Sequence, residues 1–216
     1  MKNRILQVTV LIIGCTVLGA TLGIFTARYY QPGTPAKPEI QGLLWPNPRE
    51  VRPFEALDQD GKPFGLAELS GKWSFLFFGY THCPDICPVT LAVLGQVYNK
   101  LEEQKLADNI QVIFASVDPE RDTPDVIKSY VSYFNKNFIG LTGTEVQIDS
   151  LARQIGIVHA RGEETAPGDY TVDHTASVFL ISPDNKLLGI FSAPQAADDI
   201  ISRFRAISNF INHLNT

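Results

Sequence analysis

Cysteine and methionine are scarce: three Cys and one Met in 216 residues. That excludes a disulfide-stapled scaffold and argues against a metal-storage tract. Basic residues are also in deficit, for a formal charge of −5, and three of them (Lys2, Arg4, Arg28) precede residue 29. A phosphate backbone needs a basic surface, so nucleic acid is not an expected partner. No internal repeat is visible. The length suits one domain of moderate size behind an anchor.

Charge is wholly absent from Ile5 to Phe25. As a helix that run would span about 30 Å, the thickness of a hydrocarbon core. Lys2 and Arg4 precede it, so the N-terminus is expected to stay inside and the rest to be exported. A cleaved signal peptide would have a shorter apolar core and a small-residue cleavage site. "IIGC", ending at Cys15, looks like a lipoprotein cleavage box, but the residues after Cys15 stay apolar. Residues 1–28 therefore read as an uncleaved transmembrane anchor. Residues 29–50 are rich in proline and polar groups and read as an extended linker. "GLLWP" within it is a segment that could pack on the domain or on the membrane surface.

From 51 to 214 the pattern alternates. "FEALDQDGKPFGL" reads as two strands around an Asp60-Gly61 turn. "KWSFLFFGYT" and "IQVIFASVD" are continuous apolar runs, the mark of strands buried on both faces. "TLAVLGQVYNKLEE" has helical spacing. Thr123 and Pro124 open a further helix, and Gly156 closes the one after it. A polar loop between His159 and His174 reads as mobile. A hairpin turning at Asp184-Asn185 and an amphipathic helix complete the chain. This order implies an α/β sandwich around a mixed sheet.

Two of the three cysteines lie in "FFGYTHCPDICPVT", between a buried strand and a helix. Amides at a helix N-terminus stabilise anions, so a thiol there is expected to lose its proton more readily. A residue before proline is biased away from the α region. The helix is therefore expected to begin at Pro88, with Cys87 near its cap. Three residues separate Cys83 from Cys87, more slack than a C-x-x-C redox motif allows. Spacing leans towards a metal over a disulfide and does not decide between them.

A metal needs further ligands, and there are four histidines. His82 points away from Cys83 in extended chain. His213 falls in the last few residues, and His159 is undecided. His174 directly precedes an apolar strand and by itself reads as a hydrogen-bonded packing residue. "DPERDTP", from Asp118 to Pro124, reads as ordinary turn and helix-start chemistry, with a docking surface as the alternative.

Three segments, "FFGYTHCPDICPVTL", "SVDPERDTPDVIKSYV" and "VDHTASVFLISPDNKLLG", closely resemble the Sco (SenC) family of copper proteins, which assist cytochrome c oxidase assembly. The likeness runs from about Val51 to Phe210, in the same order. It implies a thioredoxin-like fold: a mixed central sheet flanked by helices, with an N-terminal hairpin, behind a single transmembrane helix. It implies copper as Cu(I), with Cu(II) as a second state, held by Cys83, Cys87 and His174, and it matches Asp173 to the acid beside the ligand histidine. Asp85 and Asp173 are candidate fourth donors for Cu(II). The implied role is a metallochaperone on the periplasmic face of a bacterial inner membrane. It would serve the copper-binding subunit of cytochrome c oxidase and work with a copper donor protein or a thiol reductant. A thiol–disulfide oxidoreductase acting on the same target through the Cys83–Cys87 pair is the alternative, and a peroxide-reducing enzyme is a third reading from fold analogy alone.

Overall fold

The computed structural model describes residues 19–21, 40–106, 109–164 and 166–214. Nearly all of the expected anchor, Cys15 and the linker to residue 39 lie outside the described residues. Among the described residues no helix is long and apolar enough to cross a membrane. By internal contacts the chain divides into Met1–Pro38 and Glu39–Thr216, and the sheet belongs entirely to the second unit.

In chain order the strands are β1 (Arg49–Glu50), β2 (Glu55–Asp58), β3 (Pro63–Gly65), β4 (Trp73–Gly79), β5 (Ile110–Ser116), β6 (Ile139–Thr142), β7 (His159–Arg161), β8 (Val172–His174), β9 (Val178–Ile181) and β10 (Lys186–Phe191). The helices are α1 (Leu66–Leu69), α2 (Ile86–Glu103), α3 (Pro124–Phe134), α4 (Glu145–Ile155) and α5 (Ala197–Leu214). Eight strands form one sheet in the order β1-β10-β9-β4-β5-β6-β2-β3, and β7 pairs with β8 separately. Strands β4, β5 and β6 are parallel, whereas β9 and β2 join antiparallel on either side. This is the expected mixed sheet with its N-terminal hairpin, in which Gly61 supplies the positive φ of the turn.

Why the middle strands read as unbroken apolar runs is now visible. Phe75, Phe77 and Phe78 of β4 are all fully buried, although successive side chains face opposite sides. The β4-α2-β5 and β5-α3-β6 crossovers advance the same way along the sheet, which puts α2 and α3 on one face. Helix α5 packs against α2. Helix α4 packs against β2, capped by Thr144, whose hydroxyl accepts from Gln147 N, and closed by left-handed Gly156.

The "GLLWP" segment packs on the domain. Leu44 N donates to Leu188 O at 2.7 Å, and Trp45 meets the edge of Phe210 in α5 at 5.1 Å between centroids. Apolar burial against β10 and α5 thus captures the end of a stretch whose composition alone reads as free linker.

Candidate metal centre

Register brings the candidate ligands to one place. Strand β9 runs antiparallel beside β4 with Val178 opposite Phe77. The chain leading into β9, which includes His174, therefore lies beside the end of β4 and the Cys83 loop that follows it. Cys83 N donates to Tyr80 O at 3.2 Å, turning the loop as it leaves the strand.

Helix α2 begins at Ile86 with Asp85 as its cap residue, two positions earlier than the prolines imply. Val89 N, donating to Asp85 O at 3.4 Å, makes the first helical bond. Pro88 then occupies the first turn, where an amide has no intrahelical partner in any case, so its missing N–H is not felt. Cys87 consequently sits inside the first turn with its side chain fully buried, whereas Cys83 is partly exposed.

One atom each from Cys83, Cys87 and His174 lie within 4.8 Å of one another. The sulfurs are both free thiols. His174 Nε2 is 3.3 Å from Cys87 Sγ, and its Nδ1 is 3.3 Å from Thr175 O. A proton on Nδ1, donated to that carbonyl, leaves the Nε2 lone pair aimed at the sulfur. Phe77 and Tyr80 meet the ring in T-shaped contacts at 6.0 and 5.9 Å between centroids. Burial holds His174 below the usual imidazole range, so the ring is a neutral donor at pH 7.

Electrostatics correct one expectation. The buried Cys87 thiol is pushed far above the usual range, first by burial and then by its hydrogen bond with Cys83. Desolvation of the thiolate outweighs whatever the helix N-terminus offers it. In the metal-free protein Cys87 keeps its proton.

Other candidates are left aside. His82 is exposed, with Nδ1 3.1 Å from Thr81 Oγ1. His159 Nε2 lies 2.8 Å from an Asp149 oxygen, on the strand opposite His174. Asp85 and Asp173 are exposed, and among the described residues no acidic donor joins the group of three. The polar loop expected to be mobile returns on itself as the β7–β8 hairpin, with Gly162 N donating to Thr171 O at 2.8 Å. Arg121 Nη1, which donates to Gly168 O at 3.2 Å, lies 47 residues away and left no local signal.

Close packing leaves no free space for a side chain at Gly79. A Cβ there would stand 2.7 Å from Cys87 Sγ and 2.9 Å from the Phe114 ring. Gly79→Ala should lower stability by about 1–3 kcal/mol through overpacking. Chemical denaturation checks this, and an unchanged midpoint would contradict it.

The sequence model of the SCO1/SenC family matches residues 45–209. A protein of Stutzerimonas stutzeri named as a putative copper-binding protein is 39% identical over 158 residues, covering 73% of this chain and 76% of its own. The chain spans about half the length of the mitochondrial SCO relatives that it matches. Copper-bound ScoI of Arabidopsis thaliana superposes with a TM-score of 0.66 at 36% identity, covering 72% of this chain and 98% of that one. BsSco, described as a member of the Sco family of cytochrome c oxidase assembly proteins and as having a disulfide switch, superposes at 0.61 with 30% identity, over 78% of this chain and 98% of that one. With its matched region covering the whole sheet and all three clustered candidate donors, this chain belongs to the SCO1/SenC family.

Proposed function

We propose that this chain binds one copper ion through Cys83, Cys87 and His174 and delivers it to the copper-binding subunit of cytochrome c oxidase during assembly. The observation that carries this reading is the convergence of two sulfurs and a ring nitrogen from segments far apart in sequence. Soft thiolates favour Cu(I), and imidazole suits both copper states. Three donors leave a face open to a recipient ligand, so the ion can pass by stepwise ligand exchange without being set free. Relatives with copper bound, and a relative described by its role in oxidase assembly, support the same reading. On this account the protein is a metallochaperone and not an enzyme. It is tethered by residues 1–28 with the folded domain on the periplasmic face of a bacterial inner membrane, and is loaded by a copper donor protein.

Titration of the reduced protein with Cu(I) tests this. One equivalent should bind per chain, and affinity should rise with pH. Copper takes the thiolate, and the buried Cys87 thiol is protonated at neutral pH, so binding expels that proton. This thiol alone should raise affinity about tenfold per pH unit around neutrality. His174, already neutral there, competes only in acid. A pH-independent affinity between pH 6 and 8 would remove Cys87 from the ligand set.

A second reading, thiol–disulfide exchange with the same target, is favoured by the two free thiols standing side by side. Exchange needs only the sulfurs, so His174 separates the two.

A further inference from the structure

Both segments that carry the donors are tied to one short turn, and no residue of that turn is a donor. The turn runs from Asp118 to Asp122 after β5, closed by Asp122 N donating to Asp118 O at 3.0 Å. Parallel pairing sets Ser116 opposite Gly79, and Val117 N donates to Gly79 O at 2.8 Å. The turn therefore starts level with the point where the Cys83 loop leaves β4.

One arm reaches the cysteine loop. The fully buried Asp122 carboxylate accepts from Thr81 N at 3.0 Å, from the Thr81 hydroxyl at 2.5 Å and from the Ser116 hydroxyl at 2.5 Å. Thr81 is two residues before Cys83. An ordinary turn or helix start does not need a buried carboxylate, whose desolvation is unfavourable.

The other arm reaches the histidine hairpin. Asp118 accepts from the Tyr170 hydroxyl at 2.7 Å and from Arg121 Nε at 2.5 Å. The guanidinium carbons of Arg121 and Arg161 lie 3.5 and 3.6 Å from the centre of the Tyr170 ring. Two guanidinium groups cannot share one face at that separation, so the ring is held between them. Arg161 also donates to Glu120, within the turn, at 3.1 Å. Tyr170 is four residues before His174 on the same hairpin.

We propose that the Asp118–Asp122 turn is a bracket that sets the spacing of the Cys83 loop and the His174 hairpin before any metal arrives, with Asp122, Asp118 and Tyr170 as positioning residues. Donors already in place lose less freedom on binding, so preorganisation appears as affinity. What the bracket does for copper rests on the reading of the site given above. What it does for the two arms does not.

Tyr170→Phe and Tyr170→Leu test the hairpin arm, and Thr81→Val tests the cysteine arm. Hydrogen exchange is read first on the metal-free protein. Tyr170→Phe should speed exchange across the β7–β8 hairpin by about tenfold, the loss expected for one hydrogen bond to a charged group. Tyr170→Leu, which also removes the ring between the guanidiniums, should speed it further. Both should leave amides of residues 80–87 and of β4 unchanged. Thr81→Val should do the reverse, and should also speed alkylation of the buried Cys87 thiol about tenfold. Cu(I) affinity should then fall in the order of hairpin loosening, with one copper still bound per chain. Wild-type exchange in folded variants would overturn the bracket, as would uniform acceleration throughout the sheet, which marks general destabilisation. Confined loosening with unchanged Cu(I) affinity would overturn the positioning role. Absence of copper binding by the wild-type protein would fall on the copper reading instead.

Discussion

His174→Ala should lose Cu(I) affinity by more than about a hundredfold, since removing a group that merely supports a metal ligand already weakens binding 10- to 100-fold. The fold should survive. His174 pairs with His159 through its backbone, which alanine preserves, and its ring meets Phe77 and Tyr80 only in T-shaped contacts. The two sulfurs are untouched and remain neighbours, so a reversible disulfide should persist. Competitive Cu(I) titration, thiol counting before and after mild oxidation, and oxidase assembly in cells form one experiment. Copper affinity and assembly should fail together while the disulfide cycles normally. Undiminished copper binding would refute the ligand assignment. Normal oxidase assembly without copper binding would make electron exchange the better account of the site.

Oxidation should abolish copper binding outright. Forming the disulfide removes two electrons and two protons from the Cys83 and Cys87 thiols and brings the sulfurs from within 4.8 Å to bonded contact, about 2.05 Å. Of the three proposed donors only the imidazole would be left, and soft thiolate character would be gone. Treatment with diamide should lower the Cu(I) stoichiometry from one per chain to none, and reduction with dithiothreitol should restore it. Cys83 is the partly exposed sulfur and Cys87 the buried one, so an external thiol should form its mixed disulfide at Cys83. Mass spectrometry of a trapped adduct identifies the site. Full copper stoichiometry in the oxidised protein would remove both cysteines from the centre. In an oxidising compartment the oxidised pair would be the empty form, and a reductant would gate loading.

The cysteine turn was legible because everything that makes it is contiguous: a buried strand, two Cys-Pro steps and a helix. Even there the prolines misplaced the helix start, since Pro88 falls in the first turn, where a missing amide is harmless. Thiol acidity departs from the local expectation for a related reason. The helix N-terminus can be read locally, but the burial that overrides it depends on what packs around Cys87. His174 carried no local sign of a ligand, and only family resemblance singled it out. "DPERDTP" read as a turn, which it is. Its role as a junction depends on Thr81 and Tyr170, 41 and 52 residues away from their partners.

By itself the sequence determined the order of the main strands and helices from β2 to the last helix, the doubly buried middle strands and the cysteine turn, but not the edge strand Arg49–Glu50, the short helix Leu66–Leu69 or the β7–β8 pairing. What it determined follows from periodicity and from local steric rules, which act over a few residues. The meeting of His174 with the cysteines was decided only by tertiary structure, through the antiparallel register of β9 on β4. So was the clasp of Asp118 and Asp122 on both arms. Such contacts join segments that approach only when the sheet closes, and hydrophobic patterning records which face is buried without recording what lies across it.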